Sequence, residues 1–408
     1  MINNDSFKLI NFGVYIEFST GGDVNIDLND IKTCMWLEDI FLYGSIGRLT
    51  IIDKYGLKEL GPLEGDEKIV ISYGNDEIIE RTFYIVKINK NYTASTVNSG
   101  NIFVTDLIFA EKHLENVSLK RFSKSWVNKK YSEIVDDIAK NMIGIDKFDN
   151  FEETCETLEN FIMPFWTPGE ALTWLMRRCS SKVTRTPGYV LYTSQGKFNF
   201  VTIESLLRKK KAENENYLFE CENLFYANKI ISWDHSGVDR TTLRDIAGTT
   251  RMGFDPYTKK LVFSKNKYSD SVQKFTSLGR RALFKNDIDN ITSSYSLEGD
   301  ANTSILANIH YNDFIKNYIN QNTFMPVVIG NEKRYPGMII EVEWPSSVDE
   351  IFNKMMSGLY LVRGITSHFS NETIPTFLQK MVCCKTGYED IDSIKLSKPK
   401  LKNLSGIL

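Results

Sequence analysis

The chain writes one strand-like heptad twice. Thr82–Ile88 reads TFYIVKI and Gly358–Gly364 reads GLYLVRG. Side chains alternate between the two faces of a strand. In the first copy Tyr84, Val86 and Ile88 fall on one face, with Phe83 and Ile85 on the other; in the second, Tyr360 and Val362 oppose Leu359 and Leu361. Both faces are apolar at the centre. An isolated barrel needs only an apolar inner face, so an apolar outer face implies packing against another domain or subunit. The alternative is a central strand of a sandwich, covered within one chain.

The flanking sequence repeats as well. GPLEGDEKIVISYG precedes the first heptad and RYPGMIIEVEWPSS the second. Each joins a Pro and a Gly in a tight turn to an alternating strand that ends in an aromatic. Gly65, Ile69, Ile71 and Tyr73 thus stand against Gly337, Ile340, Val342 and Trp344. After each heptad come a polar turn and one more strand, IFVTDLIFAEK or TFLQKMVCCK. Strand signals in one shared order predict a duplicated β unit.

A chain of 408 residues is long enough for about two to four domains. Residues from Phe7 to about Lys112 read as strands, punctuated by Gly, Asn, Asp and Pro, with one short helical turn in YGLKELGPL. YSEIVDDIAKNMI then sets Tyr131, Ile134, Val135, Ile138, Ala139 and Met142 at helical spacing. Thr167-Pro168-Gly169-Glu170 is a helix start with a capping box. GYVLYTSQGKFNFVTI reads as a hairpin turning at Gln195-Gly196. LLRKKKAENENY (Leu206 to Tyr217) reads as a solvated linker rather than a nucleic-acid patch, because no aromatic interleaves its charges. Strands return near Tyr217, a mixed polar region holds the helix TSILANIHYNDFIKNYI, and strands resume at MPVVIG.

The formal charge is −3, from 49 basic and 52 acidic residues, so no basic excess points to nucleic-acid capture. The start of the chain lacks the features of a signal peptide, and no apolar run reaches bilayer length, so no membrane insertion is expected. Cys34, Cys155, Cys179, Cys221, Cys383 and Cys384 form no C-x-x-C and are expected as reduced thiols, with one of the Cys383-Cys384 pair facing a core. His113, His235, His310 and His368 show no metal-ligand spacing, and His368 is expected beside a turn. Gly44-x-x-Gly47 and the glycines from Gly61 to Gly65 read as turns, and Asp287-x-Asp289-Asn290 has too little of a calcium loop. Asp136-Asp137 and FEETCETLEN read as solvated faces rather than a glycosidase pair, and Arg177-Arg178 and Arg280-Arg281 as exposed surface. No catalytic set, cofactor or metal is expected.

Taken in order, SIGRLTIIDKYGLKELGPLEGDEKIVISYG, MPFWTPGEALTWLMRRCSS, GYVLYTSQGKFNFVTIESLL, GFDPYTKKL, RYPGMIIEVEWP and SGLYLVRGITSHFSNETIPTFLQKMV resemble the baseplate central hub protein of contractile-tailed bacteriophages. The resemblance runs to about Tyr388. It implies a mainly β fold with α+β insertions: two antiparallel barrels of the tail-tube type and two smaller inserted domains. The expected division is a first barrel over 1–112 and an α+β domain over 113–207. A discontinuous second barrel follows over 208–250 and 322–388, with a mixed domain inserted over 251–321 and an extended tail over 389–408. The implied assembly is a homotrimer, whose six similar barrels adapt a sixfold tail tube to a threefold spike around a channel that DNA passes through transiently. Implied partners are a trimeric tail spike or tail lysozyme protein, tail tube or tube-initiator proteins, and surrounding baseplate proteins. Assembly would occur in the host cytoplasm. Other readings are the hub of a bacterial contractile injection or secretion system, and a tail-associated cell-wall hydrolase.

Overall fold

A computed structural model describes residues 11–19, 21–54, 67–75, 77–93, 102–212, 216–218, 228–237, 248–255, 258–279, 281–283, 292–298, 302–344, 356–371 and 375–388. Gly65, the turn expected in YGLKELGPL, Cys221, Arg280, the Asp287–Asn290 stretch and the tail over 389–408 lie outside the described residues.

The amino-terminal strands are β1 (Asn11–Glu17), β2 (Asp23–Ile26), β3 (Ile31–Asp39), β4 (Ile46–Ile52), β5 (Lys68–Gly74), β6 (Ile79–Thr93) and β7 (Ile102–Ala110). The middle of the chain carries β8 (Phe122–Lys130), β9 (Phe148–Phe151), β10 (Thr157–Trp166), β11 (Tyr189–Ser194) and β12 (Lys197–Thr202). Then come β13 (Asn216–Leu218), β14 (Ile230–Ser236), β15 (Gly248–Asp255), β16 (Lys260–Asn266), β17 (Arg281–Ala282) and β18 (Thr292–Glu298). The last are β19 (Thr323–Ile329), β20 (Ile339–Glu343), β21 (Gly358–Ser370), β22 (Thr376–Cys384) and β23 (Gly387–Tyr388).

A 13-stranded sheet runs β14-β19-β22-β21-β3-β4-β7-β6-β5-β1-β2, with β20 on β21 and β13 on β20. It contains one pattern twice. β3-β4-β7-β6-β5 and β14-β19-β22-β21-β20 share their order in space, their order along the chain and their antiparallel pairing throughout. The irregularities repeat too. Lys32 is the extra residue of β3 against β4, and Ile231 that of β14 against β19. Val86 is the extra residue of β6 against β7, and Arg363 that of β21 against β22. Bulges at matching points of matching strands mark two copies of one unit.

The bulges also correct the sequence alignment. They set Val86 on Arg363, hence Ile85 on Val362 and Phe83 on Tyr360. The heptads as written set Val86 on Val362, one residue out, and a slip of one residue exchanges the faces of a strand. The cross-strand partners agree with the bulges: Ile69 lies opposite Phe83, and Ile340 opposite Tyr360. Ile88 also changes face. Beyond the bulge it packs with Phe83 and Ile85, not with Tyr84 and Val86.

Each unit has its own core. Trp36, Ile69, Ile71, Tyr73, Phe83, Ile85 and Phe109 fill the first; Phe324, Ile340, Val342, Trp344, Tyr360, Val362 and Cys383 fill the second. The two units are continuous rather than separate. β21 pairs with β3 from Gly364 opposite Asp39 to Ser370 opposite Thr33. The tip of the β21–β22 hairpin delivers Phe369 and Phe377 into the first core, where Phe377 packs 5.8 Å from both Trp36 and Tyr73.

The helices form where the sequence places them. Thr167 and Glu170 cap the helix Pro168–Met176 reciprocally, and the hairpin turns with Gln195 and Gly196 at positive φ. Helix Tyr131–Ile138 continues as a π turn over Ala139–Ile143. These pack with β8, β10, β11 and β12 around a third core. β15 pairs with β16 and β18 in a sheet of its own, crossing the boundary expected at 250. The segment read as a solvated linker keeps Arg208 to Lys211 exposed, yet it is anchored on both sides of them. Leu206 and Leu207 are buried, Ala212 N donates to Ile339 O at 2.9 Å, and Lys211 pairs with Glu341 at 2.6 Å. Among the described residues no helix is long and apolar enough to cross a membrane.

Candidate assembly interface

The residues singled out from the repeat separate into buried and outward sets. Ile69, Ile71, Phe83, Ile85, Ile340, Val342, Tyr360 and Val362 are core residues. The apolar outer face expected of both copies is covered inside the chain in the second. Leu361 is fully buried and Leu359 packs beside it, against Tyr192, Leu206, Phe314 and Tyr318 of the inserted regions. In the first copy the outer residues behave differently. Tyr84 is half-buried with the Lys112 ammonium 4.7 Å from its ring, and Val86 is 67% exposed. Gly337 makes the close approach of the inserted regions possible. Its φ is +88°, and a Cβ there would stand 2.5 Å from Tyr192 Oη.

Buried charge ties the units together. Arg81 points inward from β6 and donates to Glu38 at 2.7 Å, Glu111 at 2.8 Å and Ser45 Oγ at 3.0 Å. Burial opposes its charge, but Glu38 and Glu111 more than offset this and hold the guanidinium above its ordinary range. Glu111 also accepts from Thr193 Oγ1 at 2.8 Å, and Glu38 from the Gln195 amide at 2.9 Å. Gln195 Nε2 in turn donates to Glu332 O at 2.6 Å. One network therefore joins the first unit, the β11–β12 turn and the second unit. At the strand junction Arg363 Nε donates to Asp39 at 2.9 Å, and its other arm to Asn320 at 2.6 Å. Burial raises the Asp39 carboxyl, and Arg363 pulls it back only in part.

Several residues read as exposed are supports. Arg177 forks onto Asp313, which also takes Arg251 at 2.8 Å, and Arg178 is buried with its guanidinium 4.0 Å from the Trp174 ring centroid. Glu152 of FEETCETLEN is buried and accepts from Ser181, Ser205 and the Thr202 amide. Asp137 accepts from Lys124 and Trp126, while Asp136 keeps a surface pair with Lys140. Cys383 and Cys384 are both buried, one in the second core and one under the inserted regions. His368 lies within β21 rather than beside a turn.

His310 is a core residue that the spacing of histidines gave no reason to single out. Ser271 Oγ donates to Lys267 O, so it accepts from His310 Nε2–H at 2.8 Å; the bare Nδ1 then accepts from Thr249 at 2.7 Å. Burial, with Arg251 adding to it, depresses the imidazole pKa to about 3. A cleft of about 600 Å3 opens beside Arg81, lined in part by Tyr84, Lys112, His113 and Phe198. There His113 Nε2 donates to Tyr43 O at 2.7 Å, and burial lowers the imidazole pKa. Charge at these sites is spent on positioning. Arg81 and Glu38 could be anticipated only as inward positions of apolar strands, a weak signal, and Gln195 only as a turn residue; their partners come from distant elements.

The sequence matches no protein-family model and no curated protein. The fold is similar to that of a 43 kDa tail protein of prophage MuSo2 from Shewanella oneidensis, with TM-score 0.62 at 12% identity over 92% of this chain and 98% of that one. A tail protein from Neisseria meningitidis MC58 gives 0.59 at 10% identity, over 91% and 96%. The chain has a phage tail-protein fold. In this tail-protein fold the doubled unit is the sheet framework, and the inserted regions cover the outer face of its second copy.

Proposed function

We propose that this chain is a structural hub of a phage tail baseplate. Three copies close into a ring of six similar β units, which adapts a sixfold tube to a threefold spike. The observation that supports this is the repeat itself, with its matched strand order and matched bulges in one chain. A unit present twice per chain gives a threefold ring near-sixfold contacts, and a head-to-tail interface that closes makes such a ring finite. On the face opposite the cores, Arg48 pairs with Asp106 at 2.6 Å, and Lys380 with Asp234 at 2.8 Å. Paired charges suit a wall that DNA passes without being held.

The partners on this reading are the spike or tail lysozyme protein, the tube or its initiator, and neighbouring baseplate proteins, in the virion tail. The role is non-enzymatic. Native mass spectrometry of the purified chain should give a trimer, and electron micrographs a ring with a central hole. A monomer at micromolar concentration would count against the ring. Clearing of a cell-wall suspension by the chain alone would replace a structural role with a hydrolytic one.

A further inference from the structure

The sheet β11-β12-β9 has two unlike faces. Directly paired residues share a face, so Tyr189, Leu191 and Phe200 point together into the third core. The opposite face carries Tyr192 with Asn199, Ser194 with Lys197, and Asn150 of β9 beside Asn199. This face is polar yet largely buried: Tyr192, Ser194 and Asn199 are 2%, 8% and 4% exposed. Asn199 is paired, accepting from Asn150 at 2.7 Å and donating to Lys197 O at 3.1 Å. The Tyr192 and Ser194 hydroxyls make no hydrogen bond among the described residues, and both line a cleft of about 160 Å3. Lys209, just past the helix Ile203–Leu207, and the half-buried Tyr335 ahead of β20 line it too, the ammonium 5.9 Å from the tyrosine ring centroid. Tyr192, Asn199, Asn150 and Lys209 also border a second cleft, of about 640 Å3, whose lining includes the apolar Val201 and Leu206.

Two buried hydroxyls without protein partners are costly to keep unless something else bonds them. A hydroxyl both donates and accepts, which narrows what that something is. An apolar ligand would leave both groups unpaired. An anion would find Lys197 and Lys209, but it would also meet Asp149, which lines the same cleft. A ligand built of hydroxyls, with C–H faces between them, suits both the polar smaller cleft and the apolar lining of the larger one. We propose that this groove binds a short saccharide. One sugar ring lies in the smaller cleft, bonded to Tyr192 Oη and Ser194 Oγ beside the Tyr335 ring, and the chain continues over Val201 and Leu206. Every residue of the groove comes from a single chain, so the site does not depend on ring closure.

The test is calorimetric titration of the full chain with maltotriose and with triacetylchitotriose, and with inorganic phosphate as the anionic probe. The expected result is saturable binding of at least one trisaccharide, one per chain, with a Kd on the order of 1 mM. Tyr192→Phe and Ser194→Ala each remove one hydroxyl and little else. Each should weaken that binding about three- to tenfold, while the melting temperature stays close to that of the wild type. Failure of both trisaccharides to bind would overturn the site, and so would equal affinity in the wild type and both variants. Binding of phosphate alone, lost in Lys209→Gln, would overturn it too and put an anion in place of the sugar. None of these results bears on the ring, which the mass of the assembled protein decides separately.

Discussion

At the scale of single residues, this molecule keeps charge inside and holds it with more than one partner. Arg81 has two carboxylates and a hydroxyl. Removing it leaves the buried Glu38 and Glu111 carboxylates without their shared cation. Breaking a buried pair by deleting one partner costs about 3–5 kcal/mol, so Arg81→Ala should lose about that much in urea unfolding, with Arg81→Lys intermediate. His310 gives a pH signature. Its folded pKa is depressed from 6.5 to about 3, so between these values the unfolded chain binds a proton that the folded chain does not. The stabilisation is complete above pH 6.5 and falls as pH falls, by up to about 1.4 kcal/mol per unit. His310→Asn should remove this contribution, so the wild-type slope of stability against pH between pH 6 and 4 should exceed that of the variant. An equal slope would mean that the folded ring takes up the proton as readily as the unfolded one.

Among elements, β6 and β21 show how far the sequence could be read. The repeated heptad, the flanking alternation and the trailing strand all belong to matching strands. So do Ile69 and Ile340, Ile71 and Val342, Tyr73 and Trp344, which occupy equivalent core positions. What letters alone did not reveal was the relative register of the heptads. A bulge adds a residue without changing composition, so Tyr84 and Tyr360 align by identity although one faces outward and the other fills a core. The consequence is measurable. Val362 is fully buried, so Val362→Asp puts a charge in an apolar core and should abolish soluble folded protein. Val86, its partner in the literal alignment, is exposed, and Val86→Asp should leave the melting temperature of the isolated chain nearly unchanged. Equal damage from both would restore the literal alignment. The capped helix Pro168–Met176 and the Gln195-Gly196 hairpin were legible because local chemistry decides them. The docking of 206–212 was not, because only the distant strand β20 gives that charged stretch a surface to lie on.

For the whole molecule, duplication has not produced two independent bodies. The two units, expected as barrels, are joined in one sheet through the β3–β21 pairing, and its described strands follow an open path. Domain limits were hard to read for the same reason: β15 crosses position 250, and the inserted regions share a core with Leu361 and Cys384. A fragment ending at residue 112 should therefore express as an aggregating or partly ordered chain, checked by its near-ultraviolet circular dichroism, because Trp36 and Tyr73 would lack Phe377. A sharp cooperative melt from that fragment would show the first core to be self-sufficient.

The placement of Phe369 and Phe377 has a consequence for synthesis. A ribosome delivers the amino-terminal strands first, yet the aromatic plug of their interior is translated only after all the intervening chain. Early strands must wait, nearly complete and sticky, for a finishing hairpin translated tens of seconds afterwards. Birth order and folding order are thereby uncoupled, and chaperone attention should concentrate on that interval.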